Sequence, residues 1–466
     1  MDYKEFIKRK KISSVPTGIE DIDSVPLNEL LFDFQKAIVK WALRRGRSCI
    51  WADCGLGKTA MQLEWSRVVC EHTRKPVLII TPLAVSEQTA MIEGPKFGIS
   101  CKIVSSSNEV SDGINITNYE KLEKFDLSQF GGVVLDESSI LKNYAGKTRN
   151  IILEKTSSVP FKLACTATPA PNDYMELGNH AEFVGAMKYN EMLSMFFVHD
   201  GGETAKWRLK GHAKKDFFSW VASWAVFIRK PSDIGFDDSG FVLPQITFHE
   251  VTVATNPAAD NLFPVEATDL YSRQVARRET VSERVEAAVK IIEANKESQE
   301  DKFCVWCNLN DEAEGVAKKR PVMVNIQGSD SNEKKASAML EFATGKISEI
   351  VTKPKIAGFG MNWQNCCKVI FLGLSDSYEQ YYQAVRRFYR FGQKNTVHVW
   401  IVTADTEGSV VENIKRKERD ANGMYEEMMK YMNVENSSNL NVGIKPKSVY
   451  NPSQKIRIPK FLAGAI

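Results

Sequence analysis

Residues 52–59 read Ala-Asp-Cys-Gly-Leu-Gly-Lys-Thr, between a short apolar run at 48–52 and a longer segment, 59–72, with helical character. A strand that turns through glycines into a helix leaves few choices of fold. The loop belongs at the carboxyl end of a strand in a parallel sheet, where the next helix aims its positive end at a bound anion. Gly55 and Gly57 let backbone N–H groups close on phosphate oxygens. Lys58 is placed to reach the β- and γ-phosphates, and the Thr59 hydroxyl to hold Mg2+. Leu56 and Ala60 complete the loop and the first helical turn. Ala52 stands where the first glycine of this pattern usually falls.

A second signal follows at 131–139, where Gly-Gly-Val-Val-Leu runs into Asp136-Glu137-Ser138-Ser139. An apolar strand ending in two acids brings both to the same edge of a parallel sheet as the loop. Asp136 suits the Mg2+ shell, and Glu137 suits orienting or deprotonating an attacking water. Alone, such a pair is more often a solvated turn. After a phosphate loop it implies hydrolysis of a nucleoside triphosphate.

Apolar runs with β character recur at 77–81, 101–104, 114–118, 132–135 and 161–165, then again at 303–307, 322–327, 348–352, 368–373 and 397–402. This is the rhythm of α/β architecture: two lobes, each a parallel sheet with helices on both faces. The expected division is an N-terminal extension 1–28, lobe 1 at 29–172, a helical and β-hairpin insertion at 173–245, lobe 2 at 246–433 and a weakly ordered tail from 434. In the insertion, 195–199 and 204–209 flank Asp200-Gly201-Gly202-Glu203 and read as a hairpin. The segment 216–228 reads as a helix, with Phe217, Trp220, Val221 and Trp224 along one side.

Composition excludes more than it selects. A net charge of +3 over 466 residues is too small to argue for a nucleic-acid partner, so any basic surface is local. No apolar run approaches the ~18 residues that span a bilayer, and the first residues lack a signal-peptide core, so a cytoplasmic location in a prokaryotic or phage-infected cell is expected. The nine cysteines form no framework, which fits a reducing compartment. Cys304 and Cys307 are three apart in a strand, face opposite sides, and read as core rather than as metal ligands.

Further motifs appear in a fixed order: Phe34-Gln35 with Trp41, Ile80-Thr81-Pro82-Leu83, Thr117-Asn118-Tyr119-Glu120, Thr166–Asn172, Trp224–Asp233, Gly358–Trp363 and Gln383-Ala-Val-Arg-Arg-Phe-Tyr-Arg-Phe-Gly-Gln393. In this order the chain resembles the superfamily-2 helicases, and among them the Snf-type translocases of duplex DNA, over about residues 30–430. The resemblance implies that Gln35 reads adenine and that Gly360 lies at the nucleotide site. It implies that Thr81, Pro82, Thr117 and Asn118 contact a DNA strand, and that Arg387 and Arg390 complete the ATP site from across the cleft. Charge on a transferring phosphoryl group needs a donor that arrives when the lobes close.

Two positions depart from the Snf-type pattern. Ser138-Ser139 stands where Ala or Gly and then His is usual, and Thr352-Lys353-Pro354 where Ser-Thr-Arg is usual. Both bear on coupling rather than on the ATP site, and with the compact length they look like phage or mobile-element relatives. Between the lobes, Lys206, Arg208 and Lys210 with Trp207 make a basic ribbon suited to phosphate contacts and base stacking on duplex, forked or branched DNA. The competing reading is a solvated hairpin whose Trp207 packs locally. Two other functions compete for the whole chain. A DEAD-box-like RNA helicase is disfavoured because its sixth motif ends His-Arg-x-Gly-Arg. A recruitment module without turnover is disfavoured because every catalytic position holds a competent residue.

Overall fold

The computed structural model describes residues 14–199, 207–254, 277–357, 361–375 and 377–440. In chain order the strands are β1 (Arg47–Ala52), β2 (Val77–Thr81), β3 (Cys101–Ile103), β4 (Ile114–Asn118), β5 (Gly132–Asp136), β6 (Phe161–Cys165), β7 (Phe197–His199), β8 (Trp207–Leu209), β9 (Ala225–Ile228), β10 (Ile246–Val253), β11 (Phe303–Cys307), β12 (Val324–Asn325), β13 (Glu349–Thr352), β14 (Lys368–Leu372) and β15 (Val397–Ala404).

They form two separate parallel sheets, as the alternating pattern implies. The first has the order β3-β4-β2-β5-β6-β1-β9, the second β10-β15-β14-β11-β13-β12. β2, β4, β5 and β6 are buried along their whole length, so their near-continuous apolar sequences face helices on both sides. One apolar cluster covers one face of the first sheet with Phe34, Ile38, Trp65 and Val69. A second runs from Trp51 in lobe 1 through Phe217, Trp220 and Trp224 of the insertion into Trp306, Trp363 and Phe388 of lobe 2. The lobes therefore share apolar packing.

Three elements differ from the sequence reading. The segment 216–228 is a helix only in part: the helix Lys214–Ala222 stops, and the apolar run Ala225–Ile228 pairs in parallel with Cys49–Ala52. A short buried apolar run suits either state, and the free edge of β1 decides it. Within 173–245, then, β9 belongs to the first sheet. In lobe 2 an unlisted strand, β10, pairs with β15 over its whole length as an edge. Its residues are half-exposed in alternation, so it lacks the solid apolar run that marks the central strands. Finally, the helix Gly408–Asn439 continues past 434, where a tail was expected.

That last helix is 32 residues long and returns from lobe 2 to lobe 1. Tyr431 stacks on Phe218 at 5.5 Å between ring centroids, and Glu427 Oε1 accepts from Lys214 Nζ at 2.6 Å. Tyr174 Oη donates to Glu427 Oε2 at 2.9 Å.

Candidate functional site: a nucleotide cleft between the lobes

The phosphate loop leaves β1 and enters the helix Lys58–Thr73, as its sequence requires. Gly55 (φ +89°) and Gly57 (φ +77°) are left-handed, a conformation strained for any residue with a side chain. A Cβ on Gly57 would meet Gln35 Nε2 at 2.2 Å, and one on Gly55 would meet the backbone N of Phe391 at 2.7 Å. The second contact comes from lobe 2, so the loop is pressed by the opposite lobe. Leu56 and Ala60 are buried and Thr59 is half-buried in the first turn. Lys58 Nζ donates to Ala52 O at 2.9 Å, back over its own loop.

Gln35 is buried, and both ends of its amide are engaged. Its Nε2 donates to Leu56 O at 2.9 Å, and its Oε1 accepts from Phe32 N at 3.0 Å. Gln35 therefore joins the start of the helix Asp33–Arg45 to the phosphate loop.

The two acids end β5 across from the loop. Asp136 is buried and accepts from Gln62 Nε2 at 2.7 Å, and its backbone oxygen accepts from Tyr119 Oη at 2.7 Å. Burial, and then the neighbouring Glu137 charge, push the Asp136 carboxyl up to about 6, against the pull of Gln62 and Lys58. Glu137 takes a left-handed backbone (φ 54°), one of two non-glycine residues to do so among the described residues. Such strain gathers at functional positions. Thr166 Oγ1 lies 3.4 Å from Glu137 Oε2. Behind the acids, the fully buried His180 places Nε2 3.1 Å from Ser138 Oγ. Burial pulls its pKa down to about 4.

No trio of His, Cys, Asp or Glu among the described residues could by itself hold a metal. A single buried carboxylate with a hydroxyl nearby nonetheless fits Mg2+. That ion keeps most of its waters and binds through one or two protein oxygens plus substrate phosphates.

From lobe 2, Arg387 and Arg390 arrive at the same cleft. Each donates to Met361 O, at 3.2 and 3.4 Å. Burial lowers both guanidinium pKa values, that of Arg387 to about 10, and Glu137 is among the charges that oppose the shift in each. The motif thus brings a buried and a half-buried cation into the cleft, with Arg390 Cβ 3.4 Å from where a Cβ on Gly55 would lie. The sequence reading did not single out their neighbour Arg386, which pairs with Asp53 of the phosphate loop at 2.9 Å.

A cavity of about 540 Å3 opens beside Glu137 between the lobes. Pro82, Leu83, Tyr119 and Glu120 line it from lobe 1, and Lys335, Met339 and Lys355 from lobe 2. Lys142 and Glu379 form an ion pair across it. Of the four residues expected to contact a strand, only Pro82 lines this cavity. Thr81 bonds to Ser86 at 2.9 Å, Asn118 Oδ1 accepts from Lys121 N at 3.2 Å, and Thr117 is buried. These three side chains face inward and shape the loops that line the cleft.

The hairpin pairs β7 with β8 antiparallel. Lys206 and Gly360 lie outside the described residues. Trp207 is half-buried, with its ring centroid 3.7 Å from that of His199. Arg208 is exposed. Lys210 Nζ donates to Ser194 O and Met195 O, at 3.2 and 2.9 Å, capping the helix Tyr189–Phe196.

Two RecA-like parallel-sheet lobes with a phosphate loop, an acid pair and facing arginines make the arrangement that the resemblance to superfamily-2 helicases implies. Residues 283–392 match the helicase conserved C-terminal domain. A phage protein, p41 of Acyrthosiphon pisum secondary endosymbiont phage 1, is 28% identical over 193 residues, which is 35% of this chain and 42% of that protein. The SWI/SNF-related matrix-associated actin-dependent regulator of chromatin subfamily A-like protein 1 of Drosophila melanogaster is 24% identical over 266 residues, 53% of this chain and 34% of that protein. The chain thus spans less than half the length of either relative. Among solved structures, the SWI2/SNF2 ATPase core of Sulfolobus solfataricus in complex with double-stranded DNA aligns with a TM-score of 0.41 and 18% identity, over 88% of this chain and 95% of that one. The chain is thus similar to Snf-type proteins of superfamily 2, and the phage relative accords with the phage-like reading of its sequence.

Proposed function

We propose that this chain is a DNA-dependent ATPase that uses lobe closure to move along duplex or branched DNA. The observation that carries the reading is that the arginine motif of the opposite lobe closes on the phosphate loop: a Cβ on Gly55 would lie 2.7 Å from Phe391 N and 3.4 Å from Arg390 Cβ, and Arg387 and Arg390 both donate to Met361 O beside it. Donors split between two bodies act together only in the closed state, so hydrolysis and relative motion become one event.

Lys58 and the amides of 55–60 hold the β- and γ-phosphates. Thr59 and Asp136 would hold Mg2+, which neutralises charge on the phosphate oxygens. Glu137 positions the attacking water and takes its proton. Arg387 and Arg390 stabilise the charge that develops on the transferring group. Gln35 acts from the loop side, holding Leu56 and standing at the adenine end. DNA lies along the cleft rim formed by Pro82, Tyr119, Lys335 and Lys355. A rim split between the lobes, with Lys335 and Lys355 on the lobe 2 side, supports this, because closure then shifts its two sides relative to each other.

The test is steady-state ATPase with no polymer, RNA, single-stranded DNA and duplex DNA. Duplex DNA should raise turnover at least ~10-fold, a modest fraction of what completing a phosphoryl-transfer site in trans can supply. An equal rise with RNA would overturn the duplex assignment, and no ATPase under any condition would overturn the enzyme.

A further inference from the structure

We propose that Asp53, Arg386 and Tyr382 form a clasp by which lobe 2 grips the phosphate loop itself, separate from the arginines that face the acids. The proposal rests on the ATPase reading for its kinetic consequence, but its structural part stands alone.

Asp53 lies in the loop, two residues before Gly55. Its carboxylate is fully used. Oδ1 accepts from Tyr382 Oη and from Cys54 N, both at 2.7 Å, and Oδ2 accepts from Arg386 Nη2 at 2.9 Å. Its backbone ties the loop down: Asp53 N donates to Ile228 O at 3.0 Å, and Asp53 O lies 3.5 Å from Lys58 Nζ. One residue therefore connects the loop lysine, the edge strand β9 and two side chains of the opposite lobe.

The lobe 2 half is equally fixed. The Arg386 guanidinium lies over the rings of Tyr382 and Tyr389, 5.1 and 5.4 Å from their centroids. The ion pair is largely shielded from water, with 13% and 10% of the two side chains exposed. Burial works against the Asp53 carboxylate, yet Arg386 and the Tyr382 hydroxyl outweigh it and hold its pKa below the usual range. Arg386 is shifted in the matching direction, upwards, against its own burial.

The consequence is directional. When the lobes separate, Arg386 keeps its two tyrosines, while Asp53 loses both lobe 2 donors and remains beside β9. Opening breaks the ion pair and the Tyr382 hydrogen bond together, and both exist only where the lobes meet, so the clasp favours closure before any nucleotide arrives. Arg386 is thus a positioning residue. It acts on the phosphates through Asp53 and the loop, whereas Arg387 and Arg390 donate to Met361 O.

The test combines two readouts on the full chain. The first is the inter-lobe distance by fluorescence transfer in the absence of nucleotide, with one dye on each lobe. Asp53→Asn and Arg386→Gln should each shift the population towards the open distance, and Tyr382→Phe, which removes one hydroxyl, should shift it less. The second is ATPase kinetics. Asp53→Asn and Arg386→Gln should raise KM for ATP about tenfold, a coupling within the usual range between linked groups, with a smaller change in kcat. The double variant should be no worse than either single one, because the two residues act as one pair. Arg386→Lys should recover part of the effect. An unchanged inter-lobe distance in all three single variants, including the mild Tyr382→Phe, would overturn the clasp. Additive effects of Asp53→Asn and Arg386→Gln on KM would overturn it as well. If the parent chain shows no ATPase, the function proposed above fails while the distance measurement still decides the clasp.

Discussion

The nucleotide cleft and the hairpin between the lobes both looked basic and functional in sequence, yet they are built in opposite ways. In the cleft, each charged group meets others from distant parts of the chain. Asp136 is held by Gln62, Asp53 by Arg386, and Arg387 lies buried and Arg390 half-buried between the lobes. In the hairpin, the contacts are local. Trp207 packs on His199 across the strand pair, and Lys210 caps a neighbouring helix. Long-range burial fixes geometry to within what phosphoryl transfer needs, whereas a locally satisfied hairpin tolerates change. The cleft should therefore respond to single substitutions by orders of magnitude, and the hairpin only in small steps.

The largest effect is expected at Arg390. Arg390→Ala should lower kcat on the order of 10³–10⁵-fold with nucleotide affinity largely intact, because the residue acts on the transition state. Arg387→Ala should be severe too. Single-turnover hydrolysis beside equilibrium nucleotide binding checks this, and near-normal kcat in both variants would mean that lobe 2 does not complete the site. Next is Glu137→Gln, which keeps the size of the side chain but cannot take a proton. It should cost about 10²–10⁴-fold in turnover while ATP remains bound. Turnover near the parent's rate would remove Glu137 from its role.

His180 sharpens the comparison from the stability side. Its folded pKa lies near 4, below the ordinary value of 6.5, so the unfolded chain binds its proton more readily. The contribution is fully present above pH 6.5 and is lost as pH falls from 6.5 to 4, by up to roughly 3 kcal/mol. Urea denaturation at pH 7.5 and 4.5 should show a smaller acid loss in His180→Gln than in the parent. An identical loss would separate His180 from the acid sensitivity of lobe 1.

The smallest effect is expected in the hairpin. Replacing Lys206, Arg208 and Lys210 with Ala would flatten the slope of log DNA affinity against log salt by about 0.9 per phosphate contact. With Lys210 already bonded to two backbone carbonyls, the total should not exceed about 1.8. A drop near 2.7 would show that Lys210 leaves its helix for DNA. No change at all would make the hairpin a solvated loop. Trp207→Ala should lower stability if the ring only packs, and should impair branch processing selectively if it acts as a wedge.

Much of this contrast was legible in the sequence. The loop at 52–59 and the acids at 136–137 are local patterns whose spacing dictates a strand edge, and the two-lobed parallel fold followed from the rhythm of apolar runs. What was not legible depended on partners distant in the chain. Nothing near Asp53 announces Arg386. Nothing near Ser138 announces His180, although its place on an apolar helix could have flagged a buried histidine. Gln35 was expected at the adenine end, and its amide proves to be engaged with the loop and the helix start. Thr81, Thr117 and Asn118 were expected at a nucleic-acid surface, but their side chains are buried at strand ends, and those of Thr81 and Asn118 bond to the adjoining turn. The β9 run read as helix because apolar periodicity alone cannot separate a short buried strand from a helical turn.

The central claim is that lobe closure around ATP drives motion along DNA. A duplex carrying a short third strand downstream tests it most directly. The parent chain should displace the third strand with ATP, and fail to do so with a non-hydrolysable analogue or in Glu137→Gln. Vigorous duplex-stimulated hydrolysis with the third strand left in place would contradict the claim.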